Sequence, residues 1–242
     1  MRIVLVQTAP TRGDIAANLA DHVAHVNRAV AAGADLVIFP ELSLTGYEPA
    51  LAADLAMSPA DARLDAFQQL SQEHNLIIGV GLPTRGETGL HISLVLFQPD
   101  GLRRAYHKRY LHADEEPFFI SGPNFPTLTV AGMNVGLAIC YELSIPEHAL
   151  SAHEGGATLY LASVAKTAAG MDNAGQRLSE IARQYGIPAL ISNSVGPSDN
   201  FIGAGRSAIW DSDGRLSQAL PADQPGMLIY DSETGRTETL VS

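Results

Sequence analysis

The only cysteine of the chain, Cys140, follows an apolar run of strand length at 134–139 and precedes three residues that favour a helix start, Ser144, Pro146 and Glu147. A thiol at such a junction faces unpaired backbone N–H groups and the partial positive charge of a helix start, which favour the thiolate and can hold an oxyanion. A lone cysteine is more often a small buried apolar side chain. Cys140 is therefore a candidate nucleophile if a base and a cation lie near it.

Two further segments carry side chains that suit this chemistry. Glu41 comes directly after the apolar run 36–39, where partial desolvation at the end of a buried strand would raise its pKa toward that of a useful general base. Lys108 lies in a basic cluster at 103–109, and Glu116 follows eight residues later in an acidic and aromatic stretch that suits a structured loop over a pocket. The alternative for each is an ordinary solvated side chain.

The elements that must position these residues alternate along the chain. Apolar runs predict strands near 3–6, 36–39, 76–80, 92–97, 134–139, 158–164, 189–192, 207–210 and 227–230. Apolar residues at helical spacing and start signals predict helices over 15–32, 60–73, 146–154 and 174–185, with a polar loop at 166–173. No polar loop is long enough to separate two cores, so we expect one layered α/β domain over residues 1–242.

Composition narrows the classes of partner. Fifteen basic and 26 acidic residues give a formal net charge of −11, which would repel nucleic acid and leaves small molecules as the expected ligands. One cysteine excludes an internal disulfide and a Cys-x-x-Cys metal site. The first apolar run is too short for a signal peptide, and no run reaches membrane length, so we expect a cytoplasmic protein with no membrane partner.

A metal site is the competing hypothesis, because the chain has eight histidines. None of them occurs in a His-Glu-x-x-His arrangement. His22 and His25 lie three residues apart on a predicted helix without a matching carboxylate signature, and we interpret them as ordinary helix residues. We expect no metal and no organic cofactor.

Together, the three candidate segments resemble the carbon-nitrogen hydrolase, or nitrilase, superfamily. Its catalytic signatures match Phe-Pro-Glu-Leu-Ser-Leu-Thr-Gly-Tyr at 39–47, Tyr-His-Lys at 106–108 with Glu-Pro-Phe-Phe at 116–119, and Gly-Leu-Ala-Ile-Cys-Tyr-Glu at 136–142, and its later strand motifs resemble 193–196 and 203–209. The resemblance covers nearly the whole chain. It implies a four-layer α-β-β-α sandwich, commonly assembled as a homodimer or larger homo-oligomer.

The resemblance also implies a Glu-Lys-Cys triad, which falls on Glu41, Lys108 and Cys140. A second, supporting glutamate is best matched by Glu116, and Glu115 is the alternative if the register of the loop shifts by one. The implied reaction is hydrolysis of a non-peptide carbon–nitrogen bond in a small amide, through a thioester on the cysteine.

Further residues are expected around the cysteine. The backbone N–H of Tyr141, with the lysine of the triad, would hold the oxyanion. Tyr47, Lys166 and Arg206 are candidates for substrate binding, and either of the two positive side chains could bind a substrate carboxylate.

The sequence is compatible with more than one branch of the superfamily and more than one function. Leu143-Ser144-Ile145 replaces the arginine and aromatic residue that many superfamily members carry after the cysteine, so the branch is not assigned. The length and the lack of long apolar runs favour a small amidase over branches with a synthetase domain or membrane spans. Nitrile hydrolysis and N-carbamoyl amide hydrolysis are the alternative reactions, and a catalytically silent dimerisation module is the alternative of another class.

Overall fold

A computed structural model describes residues 1–241 of the chain. The strands are β1 (Arg2–Gln7), β2 (Leu36–Ile38), β3 (Ile77–Arg85), β4 (Leu90–Phe97), β5 (Arg103–His107), β6 (Leu128–Val130), β7 (Met133–Ile139), β8 (Leu159–Val164), β9 (Ala189–Asn193), β10 (Val195–Ser198), β11 (Phe201–Ala204), β12 (Ala208–Trp210), β13 (Leu216–Ala219), β14 (Gly226–Asp231) and β15 (Thr237–Val241). The α-helices are α1 (Ile15–Ala31), α2 (Ala52–Leu55), α3 (Asp65–His74), α4 (Pro146–Glu154) and α5 (Ala168–Tyr185). Short 3₁₀ segments cover Pro49–Leu51, Ala62–Leu64 and Cys140–Ser144.

The strands form two large sheets and one hairpin. The first sheet has seven strands in the order β15-β14-β1-β2-β3-β4-β5, and the second has six in the order β13-β12-β9-β8-β7-β6. β10 and β11 pair separately as a hairpin. Each large sheet has a parallel centre, formed by β1, β2 and β3 in one and by β7, β8 and β9 in the other.

Side-chain alternation along the central strands explains why the two sheets stack. In β1, Ile3 and Leu5 belong to the apolar core shared by both sheets, whereas Val4 packs on the other side with residues of α1 and α3. In β8, Leu161 joins the inter-sheet core and Tyr160 packs with residues of α4 and α5. The layers are therefore helix, sheet, sheet and helix, which confirms the predicted α-β-β-α sandwich.

The structure contains six strands, β5, β6, β10, β11, β13 and β15, and one short helix, α2, that were not predicted, and two predicted elements differ at their ends. The polar loop predicted at 166–173 is mostly helical, because α5 begins at Ala168 and its first turn is capped by Thr167 Oγ1, which accepts from Gly170 N at 3.1 Å. The helix predicted from residue 60 begins at Asp65, after a 3₁₀ turn capped by Asp61. Both differences follow from capping side chains that apolar spacing does not register.

The topology brings the ends of four strands to one edge of the sandwich. β2, β7 and β8 end at this edge. β5 also ends there, because β3 is antiparallel to β4 and β4 is antiparallel to β5, which leaves β5 running in the same direction as β3. Glu41, Lys108, Cys140 and Lys166 all follow the ends of these strands. Within residues 1–241, none of the helices combines the length and apolar character needed to cross a membrane.

Candidate active site

Cys140 occupies a strained position between a strand and a turn. β7 ends at Ile139, and Cys140 opens the 3₁₀ segment with a backbone φ of 45°, in the left-handed region that a residue with a side chain rarely adopts. Its side chain is partly buried, and Sγ lies 4.0 Å from the carbonyl oxygen of Ala165. Such a sharp turn between a strand and a helical segment presents a nucleophile at the edge of a sheet.

Glu41 is held in a buried turn after β2. Its Oε2 accepts from the backbone N–H of Ala165 at 3.2 Å, and Ser163 Oγ donates to the carbonyl of Phe39 at 2.8 Å, so the second sheet anchors both the strand end and the carboxylate. The neighbouring strand approaches very closely, since a Cβ atom at Gly81 would clash with the carbonyl oxygen of Pro40 in this turn. The backbone turn that carries the carboxylate is therefore held from both sheets.

Lys108 is fully buried between two carboxylates. Its Nζ lies 2.8 Å from Glu41 Oε1 and 2.6 Å from Glu115 Oε1. Glu115 is itself fixed by the hydroxyl of Tyr47, which donates to Oε1 at 2.9 Å, and by the backbone N–H of His112, which donates to Oε2 at 2.8 Å. The ammonium thus has one position, defined by charge-assisted hydrogen bonds.

The prediction that Glu116 accompanies Lys108 is wrong, and the alternative residue Glu115 occupies that place. Glu115 is 1% exposed, whereas the side chain of Glu116 points to solvent. A tight turn sets this register, because Glu115 N donates to His112 O at 2.9 Å and Phe119 N donates to Glu115 O at 2.9 Å. Spacing alone could not resolve two adjacent glutamates in a loop.

The pKa values of Cys140, Glu41 and Lys108 depend on one another. Burial raises the pKa of the Cys140 thiol, and the charge of Glu41 adds to this effect, while Lys166 and Lys108 oppose it. Burial also raises the pKa of Glu41, against the charge of Lys108 and a hydrogen bond from Cys140. Burial by itself would lower the pKa of Lys108. The surrounding negative charges have the larger combined effect and raise the pKa of Lys108. The expectation that the position of Cys140 alone favours the thiolate is therefore wrong, and deprotonation requires a base.

A pocket of about 280 Å³ opens onto the thiol. It is lined by residues that include Tyr47, Tyr141, Lys166 and Phe201. A larger cleft of about 550 Å³ elsewhere on the surface includes Arg28 in its lining but no nucleophile, so chemistry identifies the site better than size does.

Arg206, predicted as an alternative to Lys166, does not line this pocket. Its guanidinium forms an ion pair with Asp172 of α5, with Nη1 at 2.9 Å from Oδ1. Its backbone φ of 60° lies in the left-handed region and directs the chain away from a regular strand before β12. Of the two positive side chains predicted to bind substrate, only Lys166 lines the pocket.

The assembled site contains a thiol that hydrogen-bonds to the Glu41 carboxylate, and an ammonium that lies between this carboxylate and that of Glu115. This set can perform nucleophilic attack, proton transfer and stabilisation of an anion. Among residues 1–241, no group of three or more His, Cys, Asp and Glu side chains has an arrangement that could hold a metal ion.

Comparisons with known proteins point to one family. A family model described as Carbon-nitrogen hydrolase matches residues 2–240. The (R)-stereoselective amidase of Pseudomonas sp is 30% identical over 89% of this chain and 79% of its own length. The glutamine-dependent NAD(+) synthetase of Rhodobacter capsulatus is 29% identical over 98% of this chain, which spans only 44% of that relative.

A solved structure matches over almost the whole chain. It is a glutamate-to-glutamine variant of the amidase from Nesterenkonia sp. AN1, in which acrylamide has added to the active-site cysteine. The TM-score is 0.86 and the identity 27%, with 96% of this chain and 92% of that chain covered.

The charges around the thiol predict opposite effects of two substitutions on its ionisation. Glu41→Gln removes a negative charge and should lower the pH midpoint of Cys140 alkylation by iodoacetamide by about one unit or more. Lys166→Ala removes a positive charge and should raise that midpoint. Mass spectrometry of the labelled protein across a pH series measures both, with Glu116→Gln as the exposed control. Shifts in the same direction would contradict this electrostatic description.

Proposed function

The chain belongs to the carbon-nitrogen hydrolase family, and we propose that it hydrolyses the carbon–nitrogen bond of a small amide through a thioester on Cys140. The observation that carries the proposal is the position of Lys108 Nζ, 2.8 Å from Glu41 Oε1 and 2.6 Å from Glu115 Oε1. Glu115 lines the same pocket as Cys140, and the Cys140 thiol hydrogen-bonds to Glu41. The amidases among the relatives support the choice of an amide as substrate.

The first step joins Cys140 Sγ to the carbonyl carbon of the amide. Because burial and the charge of Glu41 raise the pKa of the thiol, the sulfur carries its proton at neutral pH until the Glu41 carboxylate accepts it. Burial also raises the pKa of Glu41, which makes it a stronger base than an exposed carboxylate. Glu41 therefore serves as the general base.

Two donors stabilise the oxyanion that forms in this step. One is the Lys108 ammonium, which remains charged because its negative neighbours outweigh burial and raise its pKa. The other is the backbone N–H of Tyr141, in the first turn of the 3₁₀ segment, where N–H groups lack partners within the turn. Lys108 acts as a fixed positive charge and Glu115 holds it in place. Loss of one such donor lowers rates by about 10²- to 10³-fold.

The remaining steps return the enzyme to its starting state. Glu41 passes its proton to the departing nitrogen, the carbon–nitrogen bond breaks, and ammonia leaves the thioester. A water molecule then gives a proton to Glu41 and attacks the thioester carbon, which releases the carboxylic acid and returns a proton to Cys140 Sγ. The sum is amide plus water to acid plus ammonia, and these steps balance without a cofactor.

Lys166 supports a preference for amides that also carry a carboxylate. Its side chain lines the pocket, and its charge acts on Cys140. Within residues 1–241 its ammonium forms no ion pair, whereas Asp114, which also lines the pocket, lies 3.4 Å from His112 Nδ1. An unpaired ammonium at the pocket wall suits an anionic group of the substrate.

Ammonia release from a panel of amides, N-carbamoyl compounds and nitriles tests the proposed reaction. We expect release from small amides, no release by Cys140→Ala, and an acyl adduct on Cys140 in the mass spectrum of rapidly quenched wild-type protein. Release from nitriles or carbamoyl compounds alone would select one of the alternative reactions. No release from any compound would favour a catalytically silent module.

The role of Lys166 is tested by the KM of matched neutral and acidic amides. Lys166→Ala should raise the KM for acidic amides about tenfold, the effect expected for a lost charge-assisted contact, and change the KM for neutral amides less than about twofold. Arg206→Ala is the matched control, because its ion pair with Asp172 lies outside the pocket lining. Equal effects on both substrates would remove Lys166 from substrate recognition.

A further inference from the structure

Glu142 lies two residues after Cys140, is completely buried, and takes no part in the chemistry proposed above. Both of its carboxylate oxygens accept hydrogen bonds. Oε1 accepts from Arg109 N at 2.7 Å, and Oε2 accepts from Ile139 N at 2.8 Å and from Tyr106 Oη at 2.9 Å. Oε1 also accepts a longer hydrogen bond from Asn124 Nδ2 at 3.4 Å, so the carboxylate is held by two backbone groups and two side chains.

The two backbone donors belong to the segments that carry the reacting groups. Arg109 follows Lys108 directly, after the end of β5 in the seven-stranded sheet, and Ile139 precedes Cys140 at the end of β7 in the six-stranded sheet. Glu142 therefore joins the two sheets at points one residue from the ammonium and one residue from the nucleophile.

A directional chain of hydrogen bonds orients this carboxylate. Burial, with the charge of Arg109, lowers the pKa of His148 to about 4, so its imidazole is neutral near pH 7 and has one donor and one acceptor. Its Nδ1 lies 2.8 Å from Tyr160 Oη, and its Nε2 lies 2.8 Å from Tyr106 Oη. When Tyr160 donates to Nδ1, Nε2–H donates to Tyr106, and Tyr106 donates to Glu142, every group is satisfied.

We propose that Glu142 is a positioning residue that sets the separation of Lys108 from Cys140 by holding the N–H groups of Arg109 and Ile139 on one carboxylate. The inference rests on the proposed function, in which one oxyanion must reach two donors on different sheets at the same time. A misplacement of about 1 Å in such a site lowers the rate about 10²-fold. A carboxylate that served only stability would affect turnover only through loss of folded protein.

The substitution Glu142→Gln tests this role because it keeps the size of the side chain. The amide has a single acceptor oxygen, so one of the two backbone N–H groups loses its partner. We expect kcat for ammonia release to fall about 10²-fold while KM changes less than about threefold. Alkylation of Cys140 by iodoacetamide forms no oxyanion, so its rate above the pH midpoint of the thiol should also stay within about threefold. Glu147→Gln, on the exposed face of α4, is the matched control and should behave as wild type.

Two results would overturn the proposal. One is an unchanged kcat in Glu142→Gln, and the other is a parallel loss of kcat, substrate binding and alkylation. If the variant does not fold, hydrogen exchange of the wild-type protein tests the bridge that Glu142 forms between Arg109 N and Ile139 N. Slow exchange of the Arg109 amide supports this bridge, and exchange at the rate of a free loop overturns it. Absence of ammonia release by the wild-type protein would refute the proposed function, and the exchange measurement would still test the bridge.

Discussion

The structure depends on the burial of one ammonium group between two carboxylates. Lys108 has no exposed surface, and its charge would carry a large desolvation penalty without Glu41 and Glu115 at 2.8 and 2.6 Å. The same charges set the chemistry of the site, since they keep Lys108 protonated and hinder ionisation of Cys140. Together they produce a site in which a carboxylate, an ammonium held in one place and a thiol with a raised pKa lie side by side.

The fold supplies the constraints that hold this arrangement. Four strands from two sheets end at one edge, and the sheets are connected there by buried polar contacts. Ser163 ties the end of β2 to the second sheet on the Glu41 side. On the Lys108 side, Glu142 makes the corresponding connection through backbone groups. The extensive apolar core between the sheets gives these short polar contacts a rigid frame.

Apolar runs in the sequence were sufficient to predict the strands that end before Glu41 and Cys140, and the family resemblance supplied the four layers. The strand that ends before Lys108 was not predicted, because its sequence, Arg-Arg-Ala-Tyr-His, is not an apolar run. The sequence could not separate Glu115 from Glu116, since the turn that directs one inward depends on backbone hydrogen bonds within the loop. The direction of the Cys140 pKa shift was also missed, because burial and the charge of Glu41 become evident only in the assembled cleft. Glu142 lay inside a recognised motif, but two of its partners, Arg109 and Tyr106, come from the strand β5 of the other sheet or the residues after it.

The most direct measurement of the central interaction is kcat/KM for ammonia release by Glu115→Gln and Glu116→Gln, compared with wild type. If Glu115 holds the Lys108 ammonium in the place where the oxyanion forms, Glu115→Gln should lower kcat/KM by about 10²-fold. Glu116→Gln should stay within about twofold, because surface substitutions rarely disturb a buried site. An equal loss in both variants, or a loss confined to Glu116→Gln, would contradict the account.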